Sequence, residues 1–224
     1  MRKLFHYPLC ALSRCVRFVL AEKKLDFEAI HEIPWEPSEE LLDYNLFGTL
    51  PVLIDISGTS IPGCNPIVEY LEEVYTDINL IGIEPVDRAE VRRIMDWFEF
   101  TFYSEVYKPF ITEKILKRFM KNVDRTSDPA SIRLAGAKLT IHMEYINWLV
   151  DRRNWLSGRI FSVADICVAS FLSVLDYLGV IPWQKFGIAK EWYARIKSRP
   201  GFRGILKDNL SQIPPSADYA NLDF

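Results

Sequence analysis

Residues 161–178 constrain this chain more tightly than any other stretch. Phe161-Ser162-Val163-Ala164-Asp165-Ile166 has the spacing of a helix N-terminal capping box. The Ser162 hydroxyl is placed to accept from the backbone N–H of Asp165, and the Asp165 carboxylate to accept from the N–H of Ser162. Phe161 and Ile166 flank the box as a hydrophobic staple. The helix that follows, through Leu178, is apolar on nearly every side, with Asp176 its main charge. A helix of that kind is a buried axis, so a domain of further helices has to surround it.

The neighbouring segments supply such helices. Between 88 and 120 the spacing predicts one long helix, or two joined near Pro109, with Val91, Ile94, Met95, Phe98 and Phe102 on one stripe. Trp97, Phe100, Tyr103 and Tyr107 form a second stripe. A helix with two apolar stripes packs on its own core and on a neighbour as well, such as a second subunit. Residues 130–152 predict another helix, with Leu134, Ile141, Tyr145 and Trp148 on one face, and 187–199 a last one stopped by Pro200-Gly201.

The first seventy-five residues read differently. Strands are expected at 2–7, 27–33 and 51–56, with a short fourth after the Ser57-Gly58-Thr59 turn. Helices are expected from Val16 to about Lys24, within 38–46, and from Asn65-Pro66 to about Tyr75. Asn65 suits a helix cap and Pro66 a first helical position. The order β-α-β-α-β-β-α is that of a thioredoxin-like unit. The expected organisation is therefore α/β over 1–76, a linker over 77–87, an all-α domain over 88–206 and a tail over 207–224.

Composition removes several function classes. The 224 residues carry 27 basic and 30 acidic side chains, a net charge of −3, without the basic stripe of a nucleic-acid binder. No apolar run reaches the roughly 20 residues of a membrane-spanning helix. Ser13, Arg14 and Arg17 break the N-terminal apolar run, so no signal peptide is expected. Four cysteines in a chain of this size make no disulfide scaffold, and with His6, His31 and His142 far apart in sequence no metal site is expected. The three histidines have no acidic partner at useful spacing and are read as structural. A cytoplasmic protein remains.

Cys10-Ala11-Leu12-Ser13 stands at the mouth of the first helix. A thiol there meets unpaired N–H groups and the positive end of the helix dipole, both of which favour thiolate, and Arg14 and Arg17 add charge. Cys10 is thus either a nucleophilic or redox cysteine or a small residue in a tight turn; Cys15 and Cys167 read as small apolar fillers. Leu50-Pro51-Val52 is a candidate cis peptide opening a strand, where the Leu50 backbone is free to pair with an extended peptide.

Residues 9–24, 45–53 (NLFGTLPVL), 63–73 (GCNPIVEYLEE) and 161–166 together resemble the glutathione transferases over nearly the whole chain. The resemblance implies a thioredoxin-like domain, an all-helical domain and a two-fold homodimer. It places the activating Ser, Cys or Tyr of that family at Cys10, with Ser13 in support, and sets Leu50 and Pro51 against the glutathione backbone. Family members usually grip the γ-glutamyl end with an acidic residue and a Ser before the third helix. Gly63 and Cys64 stand there instead, with Asn65 a partial substitute. Removing one charge-assisted hydrogen bond costs about 1.5–3 kcal/mol, ten- to a hundredfold in affinity. No cofactor is therefore required, and glutathione binding is expected to be weak.

Pro34-Trp35-Glu36, Ala89-Glu90-Val91-Arg92-Arg93, Val174 to Gly179, Ala189 to Tyr193 and the ending Tyr219-Ala220-Asn221-Leu222-Asp223-Phe224 resemble a bacterial cell-division branch of the same family. That branch implies binding to filaments of the tubulin-like protein FtsZ at the division site, without glutathione chemistry. The expected partner-binding residues are Trp35, Glu113, Lys114, Tyr219, Leu222, Asp223 and Phe224. Two readings stand at this point. One is a non-catalytic FtsZ-binding adaptor; the other is a glutathione-dependent transferase or thiol reductase using Cys10.

Overall fold

The computed structural model describes residues 1–121 and 123–222. β1 (Arg2–His6) is central in a four-stranded sheet of order β2-β1-β3-β4. It pairs in parallel with β2 (Phe27–His31) and antiparallel with β3 (Val52–Ile54), which pairs antiparallel with β4 (Ser60–Pro62). The parallel pair requires a crossover, supplied by α1 (Ala11–Glu22). α2 (Glu39–Tyr44) starts at Ser38, whose hydroxyl accepts from Leu41 N–H at 3.1 Å. α3 (Cys64–Val74) follows β4.

Asn65 does not cap α3. Gly63 is the N-cap, with φ +94°, a conformation that an L side chain rarely adopts. Asn65 therefore falls inside the first turn, and its side chain is free to reach another domain.

The helical domain begins earlier than expected, at Pro85. α4 (Pro85–Asp96) runs without a break through a wider-turned π-helical stretch (Trp97–Tyr107), α5 (Lys108–Ile111), a second such stretch (Thr112–Leu116) and α6 (Lys117–Phe119). Pro109 does not divide it. The proline falls in the first turn after the helix changes register, where a missing N–H is cheapest. α7 (Pro129–Arg152), α8 (Val163–Tyr177), α9 (Gly187–Lys197) and α10 (Arg203–Leu206) complete the domain.

All fifteen residues of α8 are buried. Ser162 and Asp165 form the capping box, and Asp165 also accepts from the Leu156 N–H and the Trp192 indole, both at 2.9 Å. On α7 the core-facing residues are Ala135, Leu139, His142, Met143, Ile146, Leu149 and Val150. The stripe marked in the sequence faces outward instead: Leu134, Ile141 and Trp148 are exposed. The helix is apolar on two faces, and only one of them meets this chain's core.

The two domains share one hydrophobic core, centred on α1 against α8. A buried ion pair, Lys23–Glu72 at 2.9 Å, ties the end of α1 to α3, and Lys23 also donates to the carbonyls of Tyr75, just after α3, and Ile78 in the linker. Among the described residues no helix is long and apolar enough to cross a membrane, and no group of three His, Cys, Asp or Glu side chains could hold a metal ion.

The tail differs most from expectation. Tyr219 is fully buried, packed edge-on against Tyr177, with its hydroxyl donating to Ile205 C=O at 3.0 Å. It is a core residue, and no docking anchor for a partner. Its burial was hidden because the pocket that receives it is assembled by α10 together with α1 and α8, both distant in sequence. Leu222 remains exposed. Asp223 and Phe224 lie outside the described residues.

Candidate functional site

The end of β1, the start of α1 and the loop before β3 meet the long helix across a cavity of about 570 Å³. Cys10, Leu50 and Trp35 line it from the first domain; Glu99, Tyr103 and Tyr107 line it from the second. The Leu50-Pro51 peptide bond is cis. The second aromatic stripe of the long helix thus serves the cavity: Phe100, Tyr103 and Tyr107 line it. Trp97 turns away, packing on His142 and Tyr145.

Cys10 is the α1 N-cap, half-buried, and its side chain caps nothing. The two arginines expected to supply positive charge are engaged by other groups. The Arg14 guanidinium runs into the core, where it donates to Pro8 C=O at 2.6 Å and Ser173 Oγ at 2.8 Å, and it lies 3.2 Å from Asp208. Arg17 grips both oxygens of the same Asp208, at 2.8 and 2.9 Å. Both guanidinium groups are thus committed to Asp208 in the tail. The helix N–H nearest Cys10 is also occupied: Ala11 N–H donates to the Tyr107 hydroxyl at 3.1 Å, and that hydroxyl donates to Leu9 C=O at 2.8 Å. Ser13 is fully buried and accepts from Tyr7 N–H at 3.4 Å, so it is no supporting donor in the cavity.

Gly63, Cys64 and Asn65 do not line the cavity. Cys64 is buried in the core with Cys15 and Cys167; the neighbouring Cys15 and burial push its thiol well up. The Asn65 amide donates to Glu99 Oε2 at 2.8 Å.

Trp35 is half-buried. It lies edge-on to Tyr7 and stacks on Phe119, with centroids 5.7 and 6.5 Å apart, and so bridges the two domains at the cavity rim. Lys121 reaches Glu36 across the same rim at 3.5 Å. Lys114 and Arg118 are exposed nearby in sequence. Glu113 is paired with Lys117 and accepts from Asp128 N–H, so it ties the long helix to the start of α7 and is no free charge for tuning a partner.

The histidines also differ from the sequence reading. His6 and His31 face each other across β1 and β2, with rings 6.3 Å apart. His142 has an acidic partner after all: its Nε2 lies 3.0 Å from Glu105, while Nδ1 accepts from the Trp97 indole at 3.0 Å. Parallel pairing and helix packing brought together residues with no sequence proximity.

Tyr7, Glu99, Tyr103 and Tyr107 are site residues that sequence reasoning passed over. Burial pushes the Tyr7 phenol up to about 12, so it stays protonated. The two-stripe pattern of the long helix was the available signal for Tyr103 and Tyr107. Nothing local marked Glu99.

A thioredoxin-like domain with a cis-proline, backed by a helical domain built on a capped buried helix, defines the glutathione-transferase class. The glutathione S-transferase N-terminal domain family matches residues 4–77 and the glutathione S-transferase C-terminal domain family residues 131–200. The chain belongs to the glutathione S-transferase family. It is 40% identical to FtsZ-localized protein A of Caulobacter vibrioides over 226 aligned positions, covering 100% of this chain and 98% of that protein. The crystal structure of a glutathione S-transferase from Rhodospirillum rubrum F11 matches with a TM-score of 0.95 at 45% identity, covering both chains fully. The structure of FzlA from C. crescentus matches with a TM-score of 0.96 at 40% identity, covering 100% of this chain and 99% of that one.

Proposed function

We propose that this protein is an adaptor that binds filaments of the tubulin-like division protein FtsZ and modulates their architecture, as a cytoplasmic homodimer acting at the division site. The full-length similarity to FtsZ-localized protein A carries this reading. The site supports it. Cys64 is turned into the core and Asn65 is engaged by Glu99, so the γ-glutamyl end of glutathione finds no grip at the start of α3, and the residues present do not fit that ligand. The guanidinium groups of Arg14 and Arg17 are committed to Asp208, and Tyr107 takes the helix N–H next to Cys10.

Binding falls instead to the rim of the cavity. Trp35 on Phe119, with Arg118 over the Phe119 ring and Lys121 beside Glu36, combines an aromatic anchor with positive charge, the composition of an interface hot spot beside a polar rim. Homodimerisation is supported by the outward stripe of α7 and by Leu46 and Phe47, which are almost fully exposed. Two equivalent rims on a two-fold dimer engage neighbouring filament subunits, so weak single contacts multiply by avidity.

Co-sedimentation with FtsZ filaments tests the proposal. Trp35→Ala should abolish it while size-exclusion chromatography still reports a dimer, and Cys10→Ser should leave it intact. Binding that survives Trp35→Ala would remove the rim from the mechanism. The competing reading, a glutathione-dependent transferase or thiol reductase, is favoured by one observation, that Cys10 and Leu50 face the same cavity. Turnover of a standard electrophile or a mixed glutathione disulfide, lost in Cys10→Ser, would establish it.

A further inference from the structure

Glu99 stands in the wall of the interdomain cavity, on the wide-turned stretch of the long helix. Its Oε2 accepts from Asn65 Nδ2, joining the helical domain to α3. The other carboxylate oxygen, Oε1, and the other end of the amide, Asn65 Oδ1, are both buried without a partner. An ionised carboxylate and an amide oxygen can only accept, so these two orphans cannot satisfy each other. One proton on Oε1 changes that. The acid O–H then donates to the amide oxygen while the amide N–H donates to the acid carbonyl, and two orphans become one hydrogen bond.

The surroundings oppose the charge. Asp96 faces Glu99 from its own helix, and the thiols Cys15 on α1, Cys64 on α3 and Cys167 on α8 lie within range of its charge. None of these groups brings positive charge to Glu99. Burial pushes the Glu99 carboxyl up to about 7, Asn65 opposing and Asp96 adding. The walls beside it, Trp35, Phe100, Tyr103, Tyr107 and Phe171, are aromatic.

We propose that Glu99 is held as a neutral carboxylic acid doubly hydrogen-bonded to Asn65, and that it selects the cavity's ligands by charge, admitting aromatic anions while it keeps its proton and repelling them once it loses it. Glu99→Gln preserves the paired hydrogen bonds, as an amide pair, and has no proton to lose.

Carboxyl-carbon NMR of the glutamate-labelled full chain should show one resonance, absent from Glu99→Gln, that titrates near neutrality. Glu99→Leu assigns the same resonance should the glutamine variant misfold. The affinity of 8-anilinonaphthalene-1-sulfonate should fall on the order of tenfold between about pH 6 and about pH 8 in the wild type, and stay flat in Glu99→Gln. A Glu99 resonance titrating in the ordinary carboxylate range would overturn the neutral acid. A dye affinity with the same pH profile in both proteins would overturn the selection by charge.

Discussion

The Arg14 guanidinium on α1 lies 5.7 Å from the centre of the Tyr219 ring, so the end of the chain is fastened to the helix that opens at Cys10. Arg14 lies equally close to Tyr177 on α8 and forms an ion pair with Asp208. The tail is thereby part of the interdomain core, and a deletion meant to probe a free tail has to stop short of Tyr219.

Tyr219→Ala should cost about 3–5 kcal/mol, as other aromatic truncations in a packed core do. Tyr219→Phe removes only the hydrogen bond to Ile205 and should cost about 1 kcal/mol. Urea unfolding midpoints measure both, and a Tyr219→Ala protein as stable as the wild type would place the tail outside the core.

Asp208→Ala leaves Arg14 buried with no counter-charge. Breaking a buried pair by removing one partner costs about 3–5 kcal/mol, and Arg17 loses its partner in the same step. The double variant Arg14→Met with Asp208→Leu should recover much of that loss, since the fully buried charge is gone and only Arg17, which reaches solvent, is left without its partner. Denaturation of the three proteins under one buffer decides the matter.

His6 is buried, and burial first, then the Arg17 charge, holds its pKa down to about 4. The unfolded chain takes up this proton near the ordinary 6.5, so below that pH it binds more protons than the folded chain. His6 therefore contributes stability that is present above about pH 6.5 and lost as pH falls toward about 4. Asp165 runs the other way: burial raises its pKa to about 6, so its contribution is complete at acid pH and lost as pH rises through that value. Comparing His6→Phe with the wild type isolates the histidine. The variant should lack an acid-side loss of roughly 3 kcal/mol or less, read from urea midpoints across that window.

Cys10 is half-buried at the cavity, whereas Cys15, Cys64 and Cys167 are buried. Iodoacetamide should modify Cys10 alone in the folded protein and all four thiols after denaturation, as mass spectrometry of tryptic peptides would report. Labelling of Cys64 at a rate comparable to Cys10 would contradict its place in the core.

Much of the candidate site was legible where one domain alone presents it. Cys10 before α1 was marked by helix-end chemistry, Leu50-Pro51 by the proline opening β3 and Trp35 by the resemblance, and Cys10, Leu50 and Trp35 all line the cavity. Glu99 and Tyr107 were not, because each acquires its role from a residue in the other domain: Asn65 for the first, Ala11 and Leu9 for the second. The resemblance set the γ-glutamyl positions at Gly63 and Cys64. Nothing in their spacing said that Cys64 is buried in the core or that the Asn65 amide donates to Glu99.

The sequence by itself determined the elements whose partners lie within one helical turn: the Ser162–Asp165 box and the uniformly apolar α8. Such interactions depend on spacing along the chain, and spacing is visible in letters. Only the tertiary structure decided where Tyr219, Arg14, His142 and Glu99 belong. Most of their partners stand dozens of residues away or more, so their burial and charge are set by which surfaces the packed helices bring together.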